Sequence, residues 1–313
     1  MEDDQLWNPV FQGIELGIGT WAWGDRLIWD YGKEYQDKDI QEAFEISINA
    51  GAILFDTAEV YGQGKSEQLL GQFIKQTDLP VRIATKFMPY PWRLSKRSLI
   101  KALKKSLQRL GLEKVDLYQI HMPLPPVTLE TWMEALTIAY QEGLVSAVGV
   151  SNYDLQQTQR AIEALSRNGI PLASNQVEYH LLNRKVEKDG LVKYCLENGI
   201  ALIAYSPLAM GLLTGKYTPE NMPRGVRGGR VRKEYLRKIQ PLILEMRRIG
   251  ASHAGKNAAQ VAINWLICKG CLPIPGAKNR EQAEENVLAC GWRLSDDEII
   301  KLEQLSDQIE SEN

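Results

Sequence analysis

Two kinds of segment alternate along most of the chain. Short runs rich in Val, Ile and Leu predict buried β-strands, and longer stretches with apolar residues three or four positions apart predict helices. The predicted strands cover residues 14–19, 53–57, 82–87, 115–120, 147–150, 174–178, 201–205 and 272–275. The predicted helices cover residues 37–49, 66–73, 98–110, 129–141, 155–166, 189–198, 233–249, 258–268 and 281–290.

This order predicts a closed barrel of parallel strands. Strand and helix repeat at the length of βαβ units, roughly thirty residues, and eight such units can close into a (β/α)8 TIM barrel. We therefore expect a single barrel domain over residues 1–313. The alternative is an open doubly wound sheet, which would normally show G-x-G-x-x-G after its first strand. Here Gly17-Ile18-Gly19-Thr20-Trp21 lacks the third glycine.

Two segments lie outside the repeat of strand and helix. Residues 209–232, after the seventh strand, form a long loop rich in glycine and arginine that includes Arg227 and Arg230. The basic segment 224–237 is interpreted either as a solvated flexible surface or as a basic lid, since long loops in compact domains are often functional. Its basic residues are Arg224, Arg227, Arg230, Arg232, Lys233 and Arg237. Residues 295–309 open with a capping-box pattern and carry apolar residues at helical spacing. They predict an extra C-terminal helix.

Composition narrows the range of partners. The chain is 44% apolar and 24% charged with a formal charge of -2, so it offers no net field for nucleic acid or an acidic membrane. There is no signal-like apolar segment at the start, and Cys195, Cys268, Cys271 and Cys290 form no disulfide framework or zinc pattern. We expect a cytoplasmic protein without a metal, a monomer or weak homo-oligomer, acting on a small molecule.

Polar residues follow three consecutive predicted strands. Asp56 ends the second strand, with Tyr61 five residues later, Lys86 lies at the end of the third, and His121 follows the fourth. The carboxyl ends of parallel barrel strands lie at one face, where barrel enzymes keep their active sites. We therefore expect the four side chains to converge.

Together these four residues suit acid catalysis at a carbonyl oxygen. A free phenol has a pKa near 10, and an adjacent ammonium lowers the pKa by favouring the phenolate. Asp56 would keep Lys86 charged and oriented, and His121 would orient a carbonyl. Tyr61 is then the candidate general acid for an oxygen that gains negative charge as hydride arrives at carbon.

The chain resembles the aldo-keto reductase family in a series of motifs in the same order. These are Leu16-Gly17-Ile18-Gly19-Thr20-Trp21, Phe55-Asp56-Thr57-Ala58-Glu59-Val60-Tyr61-Gly62, Ala84-Thr85-Lys86, Gln119-Ile120-His121, Gly149-Val150-Ser151-Asn152, Asn175-Gln176-Val177-Glu178-Tyr179, Ala204-Tyr205-Ser206-Pro207-Leu208 and Ile274-Pro275-Gly276-Ala277-Lys278-Asn279. The resemblance implies a (β/α)8 barrel that reduces aldehydes and ketones with NADPH, sometimes NADH. It makes Tyr61 the proton donor, Lys86 and Asp56 its tuning pair, and His121 the residue that orients the substrate.

The resemblance also implies a cofactor site. Ser151, Asn152 and Gln176 would bind the nicotinamide carboxamide, and Tyr205 would stack on the ring. The positions expected along the ribose and pyrophosphate are Gly19, Thr20, Trp21, Ser206, Pro207, Leu208, Gly211 and Leu213. Those expected at the adenosine end are Gly276, Ala277, Lys278, Asn279, Gln282, Glu285 and Asn286.

Cofactor preference follows from the adenosine end. Many family members carry a Lys-Ser pair where this chain has Gly276-Ala277, but Lys278 and Arg280 remain to bind a 2'-phosphate. We therefore expect NADPH, with NADH as the alternative. Trp21, Trp23, Met88 and Trp92 are the expected substrate residues, and their rings favour flat or apolar carbonyl compounds.

Two other functions remain as alternatives on the same fold. One is an NADPH-binding regulatory or redox-sensing subunit. The other is a Schiff-base lyase using Lys86, which needs a neutral lysine, whereas Asp56 would hold Lys86 protonated.

Overall fold

A ring of eight parallel strands forms the centre of the molecule in the computed structural model, which describes residues 7–223, 228–229 and 231–311. The strands are β1 (Gly17–Gly19), β2 (Leu54–Asp56), β3 (Arg82–Phe87), β4 (Val115–Ile120), β5 (Val145–Ser151), β6 (Leu172–Glu178), β7 (Ala201–Tyr205) and β8 (Leu272–Ile274). Each strand pairs with the next in the chain. The prediction of a (β/α)8 barrel is confirmed.

The ring closes where β1 meets the end of β8. The Gly19 amide donates to the Pro275 carbonyl at 3.0 Å, and Gly19 forms a parallel bridge with Gly276. A Cβ atom on Gly19 would lie 2.9 Å from the Ile274 carbonyl oxygen. Only glycine therefore permits this approach of the two backbones.

Helices surround the ring. They are α1 (Asp37–Asn49), α2 (Lys65–Ile74), α3 (Lys96–Leu110), α4 (Leu129–Gln141), α5 (Leu155–Ser166), α6 (Lys185–Lys188), α7 (Leu191–Glu197), α8 (Lys233–Ser252), α9 (Ala258–Cys268), α10 (Arg280–Val287) and α11 (Asp296–Ser311). Short 3-10 helices lie at Pro9–Phe11, Tyr61–Gly64 and Ala209–Thr214. The predicted extra C-terminal helix is α11, which packs on α8.

Local sequence explains where these helices begin and which face they bury. In α3 the buried positions Leu99, Leu103, Leu107 and Leu110 recur every three or four residues, so one apolar stripe faces the barrel. Capping boxes begin α5 at Asp154 and α9 at Asn257, where each side chain accepts the amide of the third helical residue.

The predicted boundaries differ from the structure at a few ends. β1 is shorter than residues 14–19, because Ile14 belongs to the N-terminal segment that packs into the barrel floor. β5 and β6 begin two residues earlier than predicted. The helix predicted at residues 189–198 is α7, which begins after Gly190 at φ 81°, and the short α6 before Gly190 is not part of the prediction.

The N-terminal segment fills the bottom of the barrel. Val10, Phe11 and Ile14 are buried in one cluster with inward-facing strand residues such as Leu54 and Leu117. The Arg82 guanidinium donates to the carbonyl oxygens of residues 10, 9 and 12 at 2.6, 3.3 and 3.3 Å. This segment closes the end of the barrel opposite the polar strand ends.

The long connection after β7 was predicted as a loop. Its first part is the 3-10 helix Ala209–Thr214, with Met210 and Gly211 at positive φ. Arg224, Arg227 and Arg230 of the predicted basic lid lie outside the described residues. Among the described helices, none has the length and apolar character needed to cross a membrane.

Candidate active site

Four polar side chains meet at the carboxyl ends of β2, β3 and β4. Asp56 is the last residue of β2, Lys86 lies near the end of β3, and His121 directly follows β4. Tyr61 begins the 3-10 helix after β2. The Lys86 ammonium forms an ion pair with Asp56 and lies 3.4 Å from the Tyr61 hydroxyl. The Tyr61 and His121 rings are 5.8 Å apart and nearly perpendicular.

Asp56 is held by buried donors on both of its oxygens. Lys86 donates to Oδ1, and Gln176 and Gln119 donate to Oδ2 at 2.8 and 3.4 Å. Lys86 also donates to the Thr57 carbonyl at 2.9 Å. Burial lowers the pKa of Lys86, but Asp56 and Tyr61 raise it, and the pKa lies above the ordinary 10.5. The ammonium therefore stays charged at neutral pH.

The pKa of Tyr61 differs in direction from the expectation. Burial raises the pKa of the phenol above 10, and the lowering by the Lys86 cation is smaller. The sequence predicts that the lysine lowers the pKa, but the phenolate loses more hydration energy on burial than it gains from one ammonium. Tyr61 is consequently a protonated phenol at neutral pH, which is the form that donates a proton.

His121 is a neutral imidazole. Burial, followed by the charge of Lys86, lowers the pKa of His121 to about 3. Its Nδ1 is buried and has no hydrogen-bond partner in the described protein. A neutral ring next to a phenol can donate one hydrogen bond to a carbonyl oxygen without contributing a charge.

Contacts among neighbouring loops fix the segment that carries Tyr61. Arg93 forms an ion pair with the Glu59 carboxylate, which also accepts a hydrogen bond from the Met88 amide at 2.8 Å. The Ser66 hydroxyl lies 2.8 Å from the Thr20 hydroxyl and 2.9 Å from that of Thr57, all three buried. Glu59 thus supports the loop rather than facing the cavity.

Tyr61 and His121 open into a cavity of about 550 Å³. Many of the site residues predicted from the sequence line this cavity. They are Gly19, Trp21, Asp56, Tyr61, His121, Ser151, Asn152, Gln176, Tyr205, Ser206, Pro207, Leu208, Gly211, Gly276, Lys278, Gln282, Glu285 and Asn286. One cavity therefore brings together Asp56, Tyr61, His121 and most of the expected cofactor positions, and the fully buried Lys86 contacts it through Asp56 and Tyr61.

Amide and hydroxyl groups gather beside Asp56. The Tyr205 hydroxyl donates to Asn152 Oδ1 at 3.0 Å, and Asn152 Nδ2 donates to the His121 carbonyl at 3.1 Å. Ser151 Oγ donates to the Gln176 carbonyl at 2.9 Å. Asn152 has φ 62°, so its backbone turns sharply as β5 ends and its amide faces the cavity. Burial raises the pKa of Tyr205 to about 12.

A second cluster surrounds the start of α10. The Lys278 amide donates to Gln282 Oε1 at 3.0 Å, and Asn286 Nδ2 donates to the Gly276 carbonyl at 3.2 Å. Glu285 accepts from Asn257 Nδ2 at 3.1 Å, which ties α10 to the cap of α9. Lys278, Gln282 and Asn286 thus share one part of the cavity lining, and the lysine ammonium there is suited to phosphate.

Several predicted site residues do not line the cavity. Thr20, Trp23, Leu213 and Ala277 are buried in the protein interior, and Trp23 Nε1 donates to the Ala277 carbonyl at 2.8 Å. Asn279 instead caps α10.

Met88 and Trp92 do not line the cavity either. Trp92 is 73% exposed and stacks on Tyr90 with ring centroids 4.6 Å apart. Its place in a loop above the barrel suggested a pocket residue, but the loop directs the ring outward.

Other lining residues were missed by the sequence reasoning. They are Ala22, Trp29, Met122, Thr214, Lys216, Asn257, Ala259, Ile274 and Pro275. Lys216 follows Gly215 in the loop after β7, and a lysine beside a glycine in a loop already expected to bind phosphate was the available signal. Asn257 is a helix cap, and only the packing of α9 against α10 brings it to this site.

The fold and site together define a (β/α)8 barrel with a charged lysine, a phenol and an imidazole at the carboxyl ends of its strands. The Aldo/keto reductase family model matches residues 15–307, and the chain belongs to that family. The chain is 43% identical to the chloroplastic pyridoxal reductase of Arabidopsis thaliana over 95% of this chain and 85% of that protein.

Two further relatives show the breadth of the family. L-glyceraldehyde 3-phosphate reductase of Escherichia coli O157:H7 is 34% identical over 87% of this chain and 83% of that protein. A crystal structure of an aldo/keto reductase from Klebsiella pneumoniae in complex with NADP and acetate matches with a TM-score of 0.72 and 28% identity, covering 93% of this chain and 91% of that one. The relatives are oxidoreductases.

Proposed function

We propose that this protein reduces an aldehyde or ketone to the alcohol with NADPH, and that Tyr61 donates the proton. The observation that carries the proposal is the contact of the charged Lys86 ammonium with Asp56 and, at 3.4 Å, with the Tyr61 hydroxyl beneath one shared cavity. A protonated phenol beside a charged lysine is suited to neutralise a carbonyl oxygen as charge develops on it.

The donor set of the cavity fits a nicotinamide dinucleotide. Ser151, Asn152 and Gln176 offer amide and hydroxyl groups beside the catalytic residues, and the half-buried Tyr205 ring lies next to them. Lys216 and Lys278 offer two ammonium groups on the lining. Amide donors near the reacting atoms and cations farther along suit a carboxamide joined to phosphates.

Each catalytic residue has one task in this proposal. When bound, NADPH supplies the hydride that adds to the carbonyl carbon. Tyr61 transfers its hydroxyl proton to the carbonyl oxygen, and Lys86 stabilises the phenolate that remains until solvent returns a proton. Asp56 keeps Lys86 charged, and His121 donates a hydrogen bond to the carbonyl oxygen. Hydride and proton together convert the carbonyl into the alcohol.

The charged state of Lys86 argues against the lyase alternative. A Schiff base forms from a neutral amine, but Asp56 and Tyr61 raise the pKa of Lys86. The ammonium is also fully buried and already bonded to Asp56 and the Thr57 carbonyl. No lone pair is available to attack a carbonyl in this state.

We propose flat aromatic aldehydes, pyridoxal among them, as the preferred substrate class. The Trp21 ring lies 6.3 Å from Tyr61 with an interplanar angle of 30° and 5.7 Å from Trp29 at 83°. Two indole rings at right angles beside the phenol form an aromatic corner that suits a planar ring. Pyridoxal reductase activity in the name of the Arabidopsis relative supports the same class.

A matrix of cofactors and substrates tests this function. Consumption of NADPH and of NADH would be followed with pyridoxal, benzaldehyde, short aliphatic aldehydes and ketones, with alcohol formation checked by chromatography. We expect NADPH-dependent reduction with the highest kcat/KM for aromatic aldehydes. Binding of NADPH without reduction of any carbonyl compound would instead favour the regulatory-subunit alternative.

The substrate proposal has its own variant. Trp21→Leu should raise KM for pyridoxal more than for a small aliphatic aldehyde, because only the planar ring uses the aromatic corner. An equal effect on both substrates would contradict the proposed substrate class but not the proposed carbonyl reduction.

A further inference from the structure

The loop between β1 and α1 contacts Lys278, a residue of the cavity lining, through Glu34. Its carboxylate lies 3.6 Å from the Lys278 ammonium. The Lys278 side chain is only 16% exposed, whereas Glu34 is 60% exposed. The largely exposed Glu34 carboxylate therefore partly neutralises the charge of Lys278, a mostly buried lysine on the cavity lining.

The same loop packs aromatic rings around Lys278. Its ammonium lies 4.8 Å from the Tyr35 ring centroid and 5.7 Å from that of Trp29. Ring faces attract cations at these distances. Glu34, Tyr35 and Trp29 thus hold the lysine toward the loop.

The loop is anchored firmly enough to define these contacts. Trp23 Nε1 donates to the Ala277 carbonyl at 2.8 Å, one residue before Lys278. The Tyr35 hydroxyl donates to the Ala22 carbonyl within the same loop. Both ends of the contact between Glu34 and Lys278 are therefore tied to the same small part of the structure.

We propose that Glu34 is a cofactor-specificity residue that competes with the 2'-phosphate of NADPH for Lys278. The inference rests on the proposed function, in which Lys278 lies at the adenosine end of the bound dinucleotide. A phosphate at Lys278 must displace the carboxylate or bind against its repulsion, whereas a ribose hydroxyl does neither. Glu34 therefore weakens the binding of the phosphate-bearing cofactor and speeds its release.

Glu34→Gln tests this competition with binding measurements that do not depend on turnover. Calorimetry with NADP+ and NAD+ would be compared among wild type, Glu34→Gln and the matched control Glu42→Gln. Glu42 lies on α1, where it pairs with Lys38, so its replacement makes the same change in net charge. Adenosine 2',5'-bisphosphate and adenosine 5'-monophosphate serve as probes of the adenosine end alone.

We expect Glu34→Gln to bind NADP+ and the bisphosphate about fivefold more tightly, the size of a partly exposed charge interaction. NAD+ and the monophosphate should bind as to wild type, and Glu42→Gln should bind all four ligands as wild type does. Stopped-flow release of NADP+ should be slower from Glu34→Gln by a similar factor. The gain should shrink as salt concentration rises.

Lys278→Met separates competition for the lysine from general charge repulsion. In that background Glu34→Gln should change NADP+ affinity by much less than fivefold. A gain of the same size without Lys278, or unchanged or weaker NADP+ binding by Glu34→Gln, would overturn the inference while NADPH-dependent reduction by wild type still supports the proposed function. Failure of wild type to bind either dinucleotide would overturn both.

Discussion

At the scale of single residues, the site depends on one buried charge that is neutralised by its neighbours. A buried ammonium without a partner would lose its proton, yet Lys86 has a raised pKa because Asp56 and Tyr61 face it. The same ammonium helps to lower the pKa of His121. The site thus holds a charged lysine, a protonated phenol and a neutral imidazole, the forms that the proposed carbonyl reduction uses.

His121 should make the protein sensitive to moderate acid. Its pKa is about 3 in the folded protein, against the ordinary 6.5. Between these values the unfolded chain binds a proton that the folded chain does not. The contribution of His121 to the free energy of unfolding is therefore present above pH 6.5 and is lost as the pH falls toward 3. At pH 5 this costs about 2 kcal/mol.

His121→Asn should remove that part of the acid dependence. Urea unfolding of both proteins at pH 7.5 and pH 5 measures it, with wild type expected to lose about 2 kcal/mol more than the variant between the two pH values. An identical loss in both proteins would show that the imidazole is not held neutral.

At the scale of elements, the two ends of the barrel have different tasks. The carboxyl ends of the strands carry the catalytic candidates, and the opposite end is closed by the 3-10 helix Pro9–Phe11 and its neighbours. Arg82, the first residue of β3, fixes that closure through three backbone carbonyls. Residues at this end of a barrel generally serve stability rather than chemistry.

Arg82→Met should therefore lower stability and leave catalysis intact. Loss of the guanidinium removes hydrogen bonds to three carbonyls, which should reduce the free energy of unfolding by about 1–2 kcal/mol. Urea unfolding and steady-state kinetics measure the two effects, with Arg97→Met on the exposed face of α3 as the control. Equal stability of the two variants would refute the role given to Arg82.

The order of strands and helices could be predicted from the sequence because buried positions have to be apolar. Strands buried on both faces are apolar throughout, and the helices repeat their stripes every three or four residues, so eight βα units and the C-terminal helix could be predicted. The catalytic candidates followed because each lies at or shortly after the end of a strand. The expected site residues that do not line the cavity include Trp92, which points outward, and Trp23, which points inward. Both lie in loops, and no local pattern fixes the direction of a loop side chain.

At the scale of the whole molecule, the cavity is built from both ends of the chain. Trp29 and Tyr61 come from the first βα units, whereas Asn257 and Lys278 come from the last. Asn257 could not be predicted because only the packing of α9 against α10 brings this helix cap to the site. One domain over residues 1–313, a monomer or weak homo-oligomer and a cytoplasmic location stay predictions.

Cofactor binding should stabilise the closed ring as a unit, because the cavity lining joins β1 to β8. NADP+ at one hundred times its Kd should add about 2.7 kcal/mol. For a chain of this length that corresponds to a rise in Tm of about 4 °C. Thermal unfolding with NADP+, NAD+ and no ligand measures it, and a larger shift with NAD+ at the same concentration would contradict the NADPH preference.

The proton-donor role of Tyr61 is tested most directly by Tyr61→Phe, with Tyr140→Phe on α4 as a control for the loss of one hydroxyl. NADPH affinity is measured by calorimetry and pyridoxal reduction by absorbance in both variants and wild type. We expect Tyr61→Phe to bind NADPH as wild type does and to lose about 10²–10⁴-fold in kcat, while Tyr140→Phe keeps full activity. Full carbonyl reduction by Tyr61→Phe would contradict the mechanism.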